Sequence, residues 1–271
     1  MSDNNLQSAI NGDINAFHEL YAHFKNELKS YLYRLVAHRA DAEDLAHDTF
    51  VKAFDNITSF RGDSSLKTWT FRIATNLAYD YLRKRKRWQP DAQDKSKDFA
   101  LATAAIGAEF FRIHQTSPQG RYDIREHIDF CFTCIGKTLP IEEQIALMLK
   151  DVYQFSRKEI EQILGAPENS IRHVLAKARQ TMIRIFDNRC ALISKNGTCH
   201  QCTELAGVFN PAQTKQEALL KVKMVKMKGQ ISREQLYEMR ATLVRHIDPL
   251  ESEGADLQEA IMECTRRAIN N

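Results

Sequence analysis

Glycine and proline are scarce, ten and six in 271 residues. Alternating runs of β-branched residues are scarce too, so the pattern argues against sheet and for helix. No stretch approaches 18 apolar residues, which gives no expectation of a membrane-spanning helix. The amino terminus, MSDNNLQSAINGD, lacks the basic flank and apolar run of a secretory signal. A reducing, cytoplasmic compartment is therefore expected for the six cysteines. There, thiols more often bind metal or sense redox state than form structural disulfides. A P-loop, a dinucleotide fingerprint and a nucleophile elbow are also missing, so nothing points to an enzyme. HELYAH comes near the HExxH zinc motif, but Ala22 stands where the second histidine would be.

What is present is an ordinary soluble composition, 43% hydrophobic and 27% charged, long enough for two or three small domains. The net charge of +3 is unevenly spread. Residues 1–82 carry eight basic side chains against eleven acidic ones, and five consecutive basic residues follow, Arg83 to Arg87. Such a block marks a nucleic-acid or anionic-surface contact, or a solvated tail.

Apolar residues from Ile14 to Leu35 recur at steps of three and four, predicting one helix capped by Asp13 and running to about Ala37. A second helix is expected with Asp41 as N-cap, Leu45, Phe50, Val51 and Phe54 buried, and Asp41, Glu43, Asp44 and Asp48 forming an acidic outer surface. FRGDSS then makes a turn, and Asp63, Ser64 or Ser65 can cap the next helix. On that helix Leu66, Trp69, Ile73 and Leu77 form one stripe; Arg72, Asn76, Tyr79 and Arg83 form another. One stripe packs and the other is free to read a ligand. Trp69 lies between them, as a core ring or as a platform for a base.

The run DAEDLAHDTFVKAFDNITSFRGDSSLKTWTFRIATNLAYDYLRKRKR resembles the second region of bacterial extracytoplasmic-function (group IV) sigma factors of the sigma-70 family. That resemblance implies a core-polymerase surface at Asp41, Glu43, Asp44 and Asp48. It implies a −10 promoter surface, with a flipped base, at Phe60, Arg61, Trp69, Arg72 and Asn76. Arg83, Lys84 and Arg85 would add phosphate contacts. Extruding a base costs a few kcal/mol of stacking, offset by aromatic contact and by hydrogen bonds to its edge.

Residues 91–121 read as a partly ordered linker, with a short helix in FALATAAIGAEFFRI. Beyond it, SRKEIEQILG reads as the first helix of a helix-turn-helix, with a Ser156–Glu159 capping box. Gly165 and Ala166 form the turn, and Pro167 suits the first turn of the next helix. That stretch resembles the fourth sigma region, which binds the −35 element. Asn169, Ser170, Arg172, His173 and Lys177 are the implied DNA contacts.

The chain continues past Phe186. Cys199 and Cys202 form a C-x2-C pair, with Cys190 nine residues earlier and His200 between the pair. Three assignments compete. Cys190, Cys199 and Cys202 could hold zinc or another soft metal with His200 or a distant fourth ligand. Cys199 and Cys202 could join Cys131 and Cys134 in a four-thiolate site. The thiols could form a redox switch. Cys131 and Cys134 could equally be two buried small side chains, and Cys264 reads as core. A lysine-rich helix is expected over 212–228, another beginning at Ser232, and a last one in ADLQEAIMECTRRAI.

The expectation is thus an all-α protein in four parts: 10–90 (region 2), 91–121 (linker), 122–187 (region 4) and 188–271 (a helical extension, regulatory and metal- or redox-responsive). It implies a sigma factor needing no cofactor, with core RNA polymerase, promoter DNA and an anti-sigma factor among its partners. The alternative is a helix-turn-helix repressor acting without polymerase and carrying the same sensing tail.

Overall fold

The computed structural model describes residues 3–116, 124–190, 230–252 and 254–270. The described residues form thirteen α-helices, none long and apolar enough to cross a membrane. They gather into two compact units, Met1–Lys86 with Ile141–Leu175, and Arg87–Pro140 with Ala176–Asn271.

In the first unit, α1 (Asp3–Ile10) precedes α2 (Ile14–Ala22) and α3 (Lys25–Val36). Asp13 caps α2 as expected, accepting from the N–H groups of Asn15 and Ala16. The single long helix predicted from Asp13 is instead broken at His23 and Phe24. Phe24 leaves helical geometry at φ −131°, and its ring meets Tyr21 edge-on at 5.3 Å. The break thus lets an aromatic ring enter the core.

The next helix, α4 (Arg39–Asp55), begins before Asp41; His38 is its cap, with the Asp41 N–H donating to its Nδ1 at 3.4 Å. Its buried face is built from small residues, Ala42, Ala46, Thr49 and Ala53 with Leu45. Val51, expected inside, is 40% exposed.

Ser65 caps α5 (Leu66–Arg83). Its core face is Phe71, Ala74, Ala78 and Leu82, while Leu66, Ile73 and Leu77 are half-buried. The packed stripe is therefore offset from the predicted one. Alanines let α5 lie close against its neighbours, a preference that a count of large apolar residues misses. The Tyr31 and Thr75 hydroxyls, 2.8 Å apart, tie α3 to α5 inside this core.

The same unit holds α9 (Ile141–Leu147), a π-helical extension (Met148–Val152), α10 (Arg157–Leu164) and the start of α11 (Glu168–Arg189). Both hydrogen bonds of the Ser156–Glu159 capping box are present. Gly165 ends α10 in the left-handed region at φ 63°, where a side chain would be strained despite open space around it. Pro167 stands just outside α11, its carbonyl accepting from Ile171 N–H at 3.1 Å.

In the second unit the linker segment is two helices, α6 (Ala92–Ala102) and α7 (Ala104–Thr116), more than the one short helix expected. α8 (Ile124–Gly136) follows, and after the end of α11 come α12 (Arg233–Arg245) and α13 (Ala255–Asn270). The capping box expected at Ser232 and Gln235 opens α12. Phe132 of α8 packs against Phe186 (6.3 Å) and against Tyr237 of α12 (5.9 Å). The Arg240 guanidinium lies over the Phe186 ring at 4.2 Å. α13 lies along α6 and α7. The predicted lysine-rich helix over 212–228 falls outside the described residues.

Candidate nucleic-acid interface

The turn before α5 reverses through Gly62 at φ 76°, and the Ser65 hydroxyl accepts from Thr68 N–H at 3.0 Å. That geometry brings Phe60 against Trp69, ring edge to ring face, with centroids 5.5 Å apart. Phe60, Arg61, Trp69 and Arg72 line one cavity of about 380 Å³. Trp69 is half-buried, while Arg61 and Arg72 are exposed. Two aromatic rings beside two guanidinium groups can stack on a base and pair with phosphates or base edges. Asn76, one turn further along α5, is exposed but lines a separate cavity of about 390 Å³ with Tyr79, Ser170 and Val174. Four of the five expected residues therefore converge, and Asn76 stands apart from them.

The basic block does not act as one unit. Arg83 and Lys84 are exposed at the end of α5. Arg85 stacks on Tyr81, its guanidinium 3.4 Å from the ring centroid, and lies 3.9 Å from the Asp41 carboxylate. Arg87 belongs to the second unit, where it donates to the carbonyls of Leu139 (2.7 Å) and Gly136 (3.2 Å). A cation there complements the carboxy-terminal end of α8, where the Gly136 carbonyl also accepts from Leu139 N–H at 3.1 Å.

The acidic helix is also divided. Glu43, Asp44 and Asp48 are exposed, and Glu43 has a loose 3.7 Å pairing with Lys29. Asp41 is turned inward to Tyr81, His38 and Arg85. Burial alone would raise its carboxyl pKa; the Tyr81 hydrogen bond, the adjacent His38 imidazole and the Arg85 charge outweigh that and hold it below the usual value. Its carboxylate thus ties the start of α4 to the end of α5.

On the helix-turn-helix, Asn169, Ser170, Arg172, His173 and Lys177 are all exposed. Arg172 makes a 3.7 Å pair with Glu168, a solvated contact worth under about 1 kcal/mol. It is lightly held and can turn toward a base.

Sequence reasoning missed Arg34, Gln144 and Tyr153. Arg34 is 1% exposed; its guanidinium donates to the hydroxyls of Ser30 (2.8 Å) and Tyr153 (2.6 Å). The buried Gln144 amide donates to the carbonyls of Arg34 and Leu35 at 3.2 and 3.3 Å. Arg34 and Ser30 are four positions apart on one helix, but no local signal marks Tyr153 or Gln144, because each lies more than a hundred positions from Arg34 in the chain.

Cys199, Cys202 and His200 lie outside the described residues. Cys190 is half-buried, and among the described residues no group of three His, Cys, Asp or Glu could hold a metal ion. Cys134 is buried with its thiol 3.8 Å from the Met262 sulfur. Cys131 is half-buried, its thiol 3.2 Å from His127 Nε2. Cys264 is buried, as expected.

Comparison with known proteins matches residues 20–88 to Sigma-70 region 2 and residues 131–182 to Sigma-70, region 4. RNA polymerase sigma-H factor of Pseudomonas aeruginosa is 28% identical over 175 residues, covering 63% of this chain and 86% of that one. ECF RNA polymerase sigma factor SigW of Bacillus subtilis is 27% identical over 182 residues, 65% of this chain and 92% of that one. ECF RNA polymerase sigma-E factor of Escherichia coli is 29% identical over 176 residues, with coverage of 63% and 86%. A solved structure of CnrH in complex with the cytosolic domain of CnrY aligns with a TM-score of 0.48 at 20% identity, covering 68% of this chain and 95% of that one. Two sigma regions matched in order, on a helical chain with a capped helix-turn-helix, carry the assignment: the chain holds regions 2 and 4 of the sigma-70 family and is similar to its extracytoplasmic-function members.

Proposed function

We propose that this protein is the promoter-specificity subunit of RNA polymerase, binding the core enzyme and directing promoter recognition, strand opening and initiation. Core RNA polymerase and promoter DNA are its partners, and an anti-sigma factor is a third candidate partner. The observation that carries the residue assignments is the convergence of Phe60, Arg61, Trp69 and Arg72 on one cavity. An aromatic pair flanked by cations suits an unstacked base and its phosphates. Asn76, exposed one turn further along α5, offers a donor and an acceptor and can read a base edge. Glu43, Asp44 and Asp48 supply the polymerase-facing acidic surface, and Asp41 positions the helix that bears them. Arg83, Lys84 and Arg85 attract phosphates, with Arg85 also held by Tyr81. Asn169, Ser170, Arg172, His173 and Lys177 read the −35 element from the amino-terminal part of α11.

These activities need no cofactor. A soft metal on Cys190, Cys199 and Cys202 is a separate proposal that rests on the C-x2-C spacing alone. Transcription in vitro with core polymerase on a promoter library, with and without chelator, tests both. Open complexes should form on a selected subset of promoters. Asn76→Ala should lower open-complex formation about tenfold while changing duplex binding less than twofold. Equal loss of both would remove Asn76 from base capture. Unchanged output with chelator would remove metal control.

A further inference from the structure

Within the first unit, Asn76 of α5 and Ser170 of α11 line a single cavity. The helix-turn-helix is seated there by a core contact, Phe155 against Phe71 with ring centroids 4.8 Å apart, both buried. The Gln162 amide also donates to the Asp63 carbonyl at 3.0 Å. On the function proposed above, these are the two DNA-reading surfaces. The −10 and −35 elements lie about 25 base pairs apart, roughly 85 Å at 3.4 Å per pair. Surfaces that share one cavity cannot engage both elements at once, so this arrangement is closed to a promoter.

Separating them draws on the reach of the connecting chain. Residues 92–116 are folded into α6 and α7, about 16 and 20 Å long at 1.5 Å per residue. Drawn out, the same segment spans up to about 90 Å. α13 lies along both helices. The buried hydroxyls of Thr265 and Ser96 are 3.0 Å apart, and the Cys264 thiol donates to the Ser96 carbonyl at 3.4 Å. The same helix is fastened to α8: the Gln258 amide donates to the Glu126 carbonyl at 3.0 Å, and the Glu126 carboxylate accepts from Gly254 N–H at 2.9 Å.

We propose that α13 of the carboxy-terminal extension is a latch on the linker. By holding α6 and α7 folded it keeps the two reading surfaces shut, and its release is the step that lets the chain reach a promoter. The partner that fits the buried face of α13 is the linker of the same chain. The inference rests on the sigma-factor function only for what the shut surfaces would read.

Single-molecule energy transfer tests it on the full chain, with dyes introduced through unnatural amino acids at the exposed positions Lys52 and Glu161, leaving the cysteines intact. The free protein should show mainly a short-distance population, and added core RNA polymerase should convert it to a long-distance one. Thr265→Val combined with Gln258→Leu should raise the open fraction of the free protein three- to tenfold and speed polymerase association by a similar factor. Thr265→Ser should behave as the parent, and Ser96→Ala, the other side of the same bond, should reproduce the opening. A parent already open without polymerase overturns the latch. So do folded Thr265 and Ser96 variants whose open fraction equals the parent's. A chain that opens on loss of the latch yet never binds polymerase sinks the sigma-factor function and leaves the latch standing.

Discussion

Single residues here show how burial redirects chemistry that a sequence suggests. His127 is fully buried in α8, and loss of solvation depresses its pKa to about 4 from an ordinary 6.5. Between those values the unfolded chain binds a proton that the folded one refuses. Stability therefore falls as pH drops from about 6.5 to about 4, by up to roughly 3 kcal/mol, and rises again toward neutrality. Urea unfolding of the parent and of His127→Gln across that range should show the parent's slope and a flatter one in the variant. Identical slopes would mean that this imidazole does not govern the acid response. A neutral His127 also means that the neighbouring Cys131 thiol gains no imidazolium to stabilise a thiolate. Asp41 was expected to be both a helix cap and a docking charge, and its contacts with His38, Tyr81 and Arg85 make it an internal tie.

At the scale of elements, capping chemistry was the most legible feature. Asp13, Ser65, Ser156 and Ser232 all cap helices where their spacing predicted. The Ser156 cap carries a further load, because Glu159 both closes the box and accepts from the Thr68 hydroxyl at 3.3 Å. Burial opposes its ionisation, yet hydrogen bonds from Ser156 and Thr68 and the Lys67 charge keep its carboxyl below the usual range. Ser156→Ala should cost about 1 kcal/mol of stability. It should also loosen α10 from α5, seen as faster amide exchange in both helices. Exchange quickened in α10 alone would show that the cap does not reach across. The break at Phe24 and the offset core face of α5 were not legible, because both depend on which neighbour a side chain meets. Periodicity reports that a face is apolar; it does not say which of two adjacent stripes another helix will cover.

For the whole molecule, charge is the property that acts at a distance. Among the described residues, Arg83 and Lys84 are exposed and carry no ring or carbonyl contact of the kind that holds Arg85 and Arg87. Each phosphate contact contributes about 0.9 to the slope of log affinity against log salt concentration. Replacing both residues by Gln should lower the slope for duplex DNA by about 2, measured by fluorescence anisotropy with the polymerase holoenzyme. An unchanged slope would place the phosphate contacts elsewhere. The extension also matters at this scale: Tyr237 and Arg240 of α12 complete the packing around Phe132 and Phe186, so the tail is part of a core.

Composition, helix periodicity, caps and the ordered runs of the two sigma regions were set by local chemistry, and local chemistry is written along the chain. Few glycines and prolines permit long helices, and a serine three residues before a glutamate closes a box wherever it stands. Which carboxylate turns inward, which arginine of the basic block serves a helix end, and what the extension covers were decided only in three dimensions. Those outcomes depend on contacts between residues tens to more than a hundred positions apart, as with Arg34 and Tyr153 or Thr265 and Ser96. Their free energy comes from removing both partners from water together, and no stretch of sequence holds both halves of that event.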